Sequence, residues 1–318
     1  MRAIVFTGVG GPEVMRLEER PDPVPGDEEV LVVARFAALN TADLAQRAGD
    51  YPAPPGAPQE VPGLEVAGVV AATGAKVREL AEGDRVFGLV GGGGLADRVV
   101  AHARHLVRVP DTLSDEEAAA VPEAFITAHD AVVTQAGLAL GDVLLVNGAN
   151  GGVGSAAVQI GVTAGARVVA SARSAHDRLA ELGAEPLEPE QAFQNVKAAG
   201  GADVILELVG APNIPSDLAA LAPLGRIAVV GTGAGVDASL SLRALMGRRA
   251  RILGTVLRAR SLEQKAQAVQ AFAHEVVPHL ASGRMRALVH GIFPIDDAVG
   301  AFDAMAGSGK FGKILLAF

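Results

Sequence analysis

Apolar residues follow two different patterns along the chain. Up to about residue 110 they come in short runs, "RAIVF", "EEVLVVARFAAL", "LEVAGVVAATG", "DRVFGLV" and "LADRVVAHARHLVRV", separated by clusters of Pro, Gly and Asp. Such punctuation predicts strands and turns, and so an all-β lobe. Within it, "AGDYPAPPGAPQEVPGLE" is rich in proline and predicts a stiff loop without regular structure. The run Gly91 to Gly94 reads as a loop tip, although glycines also permit close backbone approach to a ligand. At "PDTLSDEEAAAVPEAF" the pattern changes: Ser114, followed by Asp115, Glu116, Glu117 and an alanine run, is a helix start.

Beyond that point strands and helices alternate. "DVLLVN" leads into a helix ending near Thr163, "ARVVAS" into a helix from about Ser174 to Leu182, and "ADVILELV", "GRIAVVG" and "ARILGTV" follow as further strands. Short strands that are apolar on both faces predict a parallel sheet covered on both sides, a doubly wound domain. The tail reads as one amphipathic helix, "LEQKAQAVQAFAHEVVPHLASG", a short helix at "IDDAVGAFDAMAG", and a closing strand, "GKILLAF", that needs a sheet to join.

Composition narrows the chemistry. The chain has no cysteine, so disulfides, iron–sulfur clusters and thiolate zinc sites are excluded, and any redox step needs a borrowed cofactor. Lys and Arg number 27 against 36 Asp and Glu, giving net charge −9, which disfavours a nucleic-acid partner. No apolar run approaches the ~18–20 residues of a membrane span, and the glycines in "MRAIVFTGVGGPEV" break any signal-peptide core. The expectation is a cytoplasmic protein that contacts neither membrane nor nucleic acid.

"LLVNGANGGVGSAAVQIG" carries the chemistry. Ala149, Asn150, Gly151, Gly152, Val153 and Gly154 follow a strand and open a helix, the context of a dinucleotide fingerprint with alanine in place of the first glycine. Gly151 and Gly152 let backbone amides approach a pyrophosphate at the positive end of a helix, and Gly154 lets that helix pack close to its strand. The second strand ends without the carboxylate that would hold an adenosine ribose hydroxyl. Ser171, Arg173, Ser174 and Arg178 stand there instead, a set suited to a 2′-phosphate, so the expected cofactor is NADPH.

The segments "LNTADLAQRAGDYPAPPG", "VPGLEVAGVV", "AAAVPEAFITAHDAV", "GANGGVGSAAVQI" and "GKFGKILL" resemble, across the whole chain, the medium-chain dehydrogenase/reductase superfamily, and within it the zinc-independent NADPH quinone oxidoreductases. "GTVLRARS" and "VVPHL" are similar to the subgroup typified by the p53-inducible quinone oxidoreductase. The resemblance implies an α/β fold: a GroES-like β-rich catalytic domain (1–118), a doubly wound Rossmann NADPH-binding domain (119–258), and a return segment (259–318) that completes the first. Zinc alcohol dehydrogenases of the superfamily place a Cys near the position of Asn40 and a His near that of Leu64, and neither is present here. His102 and His105, three apart on an expected strand, are read as pointing to opposite faces, so no metal is expected.

By the same resemblance Asn40 and Tyr51 lie beside the nicotinamide and the acceptor. The phenol of Tyr51, the only tyrosine, would donate to a reduced oxygen or hold the nicotinamide ribose, or else pack on the neighbouring prolines; Asn40 would offer its amide or stabilise a turn. Thr127, as a helix-start threonine, and Gly231, Val256, Lys310, Phe311 and Gly312 match cofactor-lining positions of the family. Leu95 and Arg98 stand where relatives often carry aromatics. The implied activity is transfer of reducing equivalents from NADPH to a quinone. Alternatives are an enone or alkenal reductase, and an idle NADPH-binding protein of crystallin or sensor type. RNA binding conflicts with the acidic charge and the scarcity of aromatics. A homodimer through the edge of the Rossmann sheet, near "ILGTV", is also implied.

Overall fold

The computed structural model describes residues 1–318. The chain forms two compact units, Met1–Ile126 with Leu257–Phe318, and Thr127–Val256. Residues 119–126 and 257–258, expected with the coenzyme domain, therefore belong to the first unit. Two contacts explain this: the amide of Glu123 donates to the buried Glu65 carboxylate, and Arg258 is buried among first-unit acceptors.

The second unit is built on six parallel strands, in the spatial order Glu185–Leu187, Arg167–Ser171, Val143–Asn147, Ala202–Glu207, Leu221–Val229 and Arg251–Gly254. Its central strands are apolar on both faces because helices cover both. Leu145, Val169, Ile205 and Ile227 pack against Ala192, Val196 and Leu218, and each large side chain buried there contributes about 1.5–3 kcal/mol. Helix Gly152–Thr163 follows the first strand of the unit, as the pattern predicts. The next helix runs His176–Glu181, entered through Ala175 in the left-handed region (φ 63°), which is costly for a residue with a Cβ. Three helices that the pattern left unassigned, Pro189–Ala198, Ile214–Ala220 and Leu242–Arg248, complete the alternation.

In the first unit a seven-stranded sheet runs Val289–Pro294, Lys313–Ala317, Glu29–Ala38, Glu65–Thr73, Arg85–Leu89 and Leu106–Arg108, with Arg98–His102 also paired to Glu29–Ala38. The closing strand finds its sheet, parallel to Val289–Pro294 and antiparallel to Glu29–Ala38. Ser114 caps its helix as expected: its Oγ accepts from Glu117 N at 3.2 Å while Glu117 Oε2 accepts from Ser114 N at 2.9 Å.

Four local expectations are corrected. The lobe is not all β, because Asn40 starts a helix, Thr41–Ala48, which ends at Gly49 in the left-handed region (φ 87°). "LADRVVAHARHLVRV" is not one strand: a 3₁₀ turn at Ala103–His105 interrupts it and brings the His102 and His105 rings to 5.3 Å instead of opposite faces. Gly91 to Gly94 is not a loop tip, since Gly92 and Gly94 are buried and Gly93 N and Gly94 N donate to Val61 O and Gly63 O. The tail helix stops at Glu275 and resumes as Val277–Ala281, where Pro278 lacks the amide needed for continuity.

Each unit buries a polar cluster. In the first, the ammonium of Lys313 donates to Leu39 O (2.8 Å), Asn40 Oδ1 (2.5 Å) and Glu65 Oε1 (2.8 Å), and Glu65 also accepts from Asn40 Nδ2 at 2.8 Å. Asp43 accepts from Asn40 N and Gly63 N, and burial pushes its carboxyl up to about 6. In the second, the amide nitrogen of Asn147 donates to Glu207 Oε2 (2.6 Å) and Asp217 Oδ1 (2.8 Å). Glu207 also accepts from Val209 N, Gly210 N and Asn213 Nδ2. Burial first, then the Glu207 charge, pushes the Asp217 carboxyl up to about 9, so it is protonated at neutral pH.

Replacing Lys313 with methionine strands a buried carboxylate, and the expected cost is about 3–5 kcal/mol. Urea unfolding will read this as a lower midpoint, partly restored in the Lys313→Met/Glu65→Gln double variant; an unchanged midpoint would show that the ion pair is dispensable. The Asp217 proton predicts the sign of a pH effect. A carboxyl raised in the folded state stabilises fully below its unfolded value near 3.8, and that contribution is lost as pH climbs toward about 9. Asp217→Asn should therefore flatten the fall in stability between pH 5 and pH 8, and an unaltered slope would contradict the protonated Asp217.

Candidate active site

In the second unit the end of strand Val143–Asn147 turns sharply at Gly148 (φ 80°) into helix Gly152–Thr163. Gly148 N and Ala149 N both donate to Ser171 O at 3.1 Å, which brings the glycine turn beside the end of the second strand. The glycines of the turn answer to different demands. A Cβ on Gly154 would lie 2.4 Å from Gly148 O and 2.7 Å from Ala149 Cα, so packing alone requires glycine there. Gly151 has φ −78° and ψ 175°, and the nearest atom to a Cβ would be Gly148 O at 3.7 Å. Neither backbone conformation nor packing calls for glycine at 151.

Helix Gly152–Thr163 points the amides of Gly152, Val153 and Gly154 out of its first turn, where no intrahelical acceptor exists, and its dipole adds positive potential. Strand Arg167–Ser171 ends in a buried hydroxyl-bearing residue and no carboxylate. Arg173 follows it, exposed and paired with no acidic side chain, next to the half-buried Ser174. Arg178 lies one turn further on, on the exposed side of helix His176–Glu181. Amides, hydroxyls and guanidiniums, the donor types that suit an anion, thus stand around the ends of two neighbouring strands.

Other expected residues lie elsewhere. Gly231 follows the fifth strand, where a Cβ would stand 2.2 Å from Leu208 O, so close packing explains it. Thr127 is not at a helix start but is the sixth residue of helix Pro122–His129, and it is buried. Val256 is the last, half-exposed residue of the second unit. Lys310, Phe311 and Gly312 belong to the first unit: Lys310 Nζ donates to Gly307 O, Phe311 is buried, and Gly312 (φ 93°) packs against Leu288 O. Leu95 is fully buried in a first-unit core and Arg98 pairs with Asp22.

Asn40 and Tyr51 are both in the first unit but in different surroundings. Both polar atoms of the Asn40 amide are engaged, Oδ1 by Lys313 and Nδ2 by Glu65. Tyr51 is half-buried in the proline-rich loop, its ring face 5.2 Å from the guanidinium of Arg258. Burial, and after it the Glu123 carboxylate, hold the phenol above the ordinary tyrosine range, while Arg258 opposes them. At neutral pH this phenol is a hydrogen-bond donor. Sequence reasoning missed Glu65, Lys313 and Arg258, and Asn147, Glu207 and Asp217 in the other unit. Lone charges inside apolar strands, as in "LEVAG", "LELVG" and "GKILL", were the available signal.

Two family models match: an alcohol dehydrogenase GroES-like domain over residues 26–111 and a zinc-binding dehydrogenase over residues 152–274. The donors present do not fit zinc. Asn40 and Leu64 replace Cys and His, no three His, Cys, Asp or Glu residues cluster, and the Lys313 ammonium already sits on the Asn40 and Glu65 oxygens. The chain is 32% identical over 329 residues to the quinone oxidoreductase of Mus musculus, covering 99% of this chain and 97% of that protein. Among solved structures, the quinone oxidoreductase from Thermus thermophilus, determined also in complex with NADPH, matches with TM-score 0.87 at 33% identity over 100% of both chains. CurK enoyl reductase matches with TM-score 0.87 at 25% identity over 99% of this chain and 98% of that one. A doubly wound unit with a glycine turn, a GroES-like unit and full-length similarity of this degree converge on one family: the chain belongs to the quinone oxidoreductases of the medium-chain dehydrogenase/reductase superfamily.

Proposed function

We propose that the protein transfers reducing equivalents from NADPH to a quinone without zinc. The observation that carries this reading is Gly151, a glycine that the fold does not need, at the N-terminus of a helix whose first amides face outward. A ligand whose atoms approach the backbone closely is what remains to account for it. In this reading the amides of Gly152, Val153 and Gly154 hold the pyrophosphate with Asn150 beside them, while Ser171, Arg173, Ser174 and Arg178 hold the 2′-phosphate. The coenzyme, when bound, supplies the hydride.

Tyr51 donates its phenol hydrogen to the acceptor oxygen that gains charge, a stabilisation that matters more as negative charge builds. Asn40, with its amide committed to Glu65 and Lys313, acts as a support for the surrounding backbone. A quinone suits such a site, because its own ring spreads the developing charge and a strong Lewis acid is less needed.

The test follows NADPH oxidation with 1,4-naphthoquinone and, in parallel, with an α,β-unsaturated ketone. Turnover of the quinone, faster with NADPH than with NADH and indifferent to chelators, is expected; turnover of the ketone alone would replace this reading with an enone reductase. Gly151→Ala adds a second arm. Removing glycine from a helix N-cap costs folding stability only about 1 kcal/mol, yet the dissociation constant for NADPH should rise about tenfold or more. Unchanged affinity would remove the observation on which the proposal rests.

A homodimer through strand Arg251–Gly254 is part of the same reading. That strand is the edge of the six-stranded sheet, Ile252 on it is exposed, and Leu242 and Met246 on the preceding helix are largely exposed as well. Light scattering should give twice the 32.2 kDa chain mass, and Ile252→Lys should halve it. A monomeric wild type at micromolar concentration would refute the dimer.

A further inference from the structure

Arg258 is a buried cation whose three protein acceptors are all neutral. Its guanidinium donates from Nε to Gly91 O (2.8 Å), from Nη1 to Tyr51 O (2.9 Å) and from Nη2 to Gln46 Oε1 (2.6 Å). Its own carbonyl accepts from the buried Lys265 ammonium at 3.2 Å. No carboxylate touches the guanidinium, so its charge is not neutralised at contact; Asp43 and Glu123 act on it from further away. A buried arginine held this way costs stability that a methionine would not. The placement of that charge is therefore worth explaining by what it does.

The three acceptors come from three separate segments: helix Thr41–Ala48, the proline-rich loop and the glycine run. Two of these have no regular structure, and one planar fork of donors ties both to the helix. The guanidinium carbon also stands 5.2 Å from the centroid of the Tyr51 ring, within cation–π range.

We propose that Arg258 is the positioning residue of the acceptor side: it fixes the Tyr51 ring and the Gly91 carbonyl, and its charge on the ring face favours donation from the phenol to an oxygen becoming anionic. This rests on the reading of Tyr51 as the acceptor-side donor. The charges facing the phenol are few. Glu123, on helix Pro122–His129, works against donation, and Arg258 works for it. Asp43 on helix Thr41–Ala48, and Lys265 on helix Leu262–Glu275, act on Arg258. Arginine is required over lysine for geometry, since a planar fork spreads its donors over separate segments and lies flat on a ring, whereas the donors of an ammonium all radiate from one atom.

The chain has one tyrosine and no tryptophan, so tyrosinate absorbance reports Tyr51 alone. The experiment is a rapid alkaline pH jump, completed before unfolding, on wild type, Arg258→Met and Arg258→Lys, with Tyr51→Phe as the blank. The midpoint should move to higher pH in Arg258→Met and return partway in Arg258→Lys. In the quinone assay Arg258→Met should lower kcat about tenfold or more with the NADPH dissociation constant unchanged, and Arg258→Lys should recover part of it. Added to Tyr51→Phe, Arg258→Met should cost little more, because the two act as a unit. An unmoved tyrosinate midpoint, or full additivity with Tyr51→Phe, overturns the proposal. If Arg258→Met does not fold, Arg258→Lys decides: wild-type behaviour in both midpoint and kcat refutes it. A wild type that reduces no quinone defeats the proposed function, while the pH jump still tells whether Arg258 acts on the phenol.

Discussion

A lysine ammonium and a glutamate carboxylate, both out of water, govern the first unit. Neither Lys313 nor Glu65 can be exposed singly without leaving the other charge buried, and each is further tied to groups that cannot move independently. Glu65 receives the Asn40 amide on one oxygen and the backbone of Glu123 on the other. Lys313 opens the last strand of the chain, so the pair requires the C-terminal segment to return to the sheet formed by the first hundred residues. A chain that leaves a domain and comes back is held in register by this contact more firmly than by apolar packing, which tolerates sliding.

The second unit solves a related problem differently. It also buries two carboxyl groups, but they share an asparagine amide, and one of them, Asp217, keeps its proton in place of a neutralising cation. Glu207 spends its remaining capacity on Val209 N and Gly210 N, which fixes the loop that follows its strand. That loop lies next to the glycine turn, since a Cβ on Gly148 would meet Leu208 and Val209. The polar core thus braces the segment that carries the glycine turn.

Much of this was legible in the order of residues. The alternation after residue 120, the capping box at Ser114, the glycine turn and the strand at "RILG" follow from local patterns that tertiary structure did not override. What stayed hidden depended on distant partners. Helix Thr41–Ala48 is eight residues long and polar on one face, too short for its periodicity to stand out among strands. Gly91 to Gly94 resembles a loop tip until Pro58, Val61 and Gly63 are seen packed on it. Arg258 and Arg260 look alike in "VLRARS", and only the fold distinguishes a buried fork with three acceptors from its neighbour. The site residues most open to sequence reasoning were those set by backbone, and the least open were those set by a buried charge.

The bare rim at Arg251–Gly254 has a practical corollary. The sheet-edge strand and the exposed Ile252, Leu242 and Met246 beside it make a sticky margin, and the less protein a sample holds, the larger the share of it that surfaces can take up. Very dilute samples should therefore lose material to vessel walls and to foreign β-strands, and a carrier protein or mild detergent in the buffer is the natural remedy.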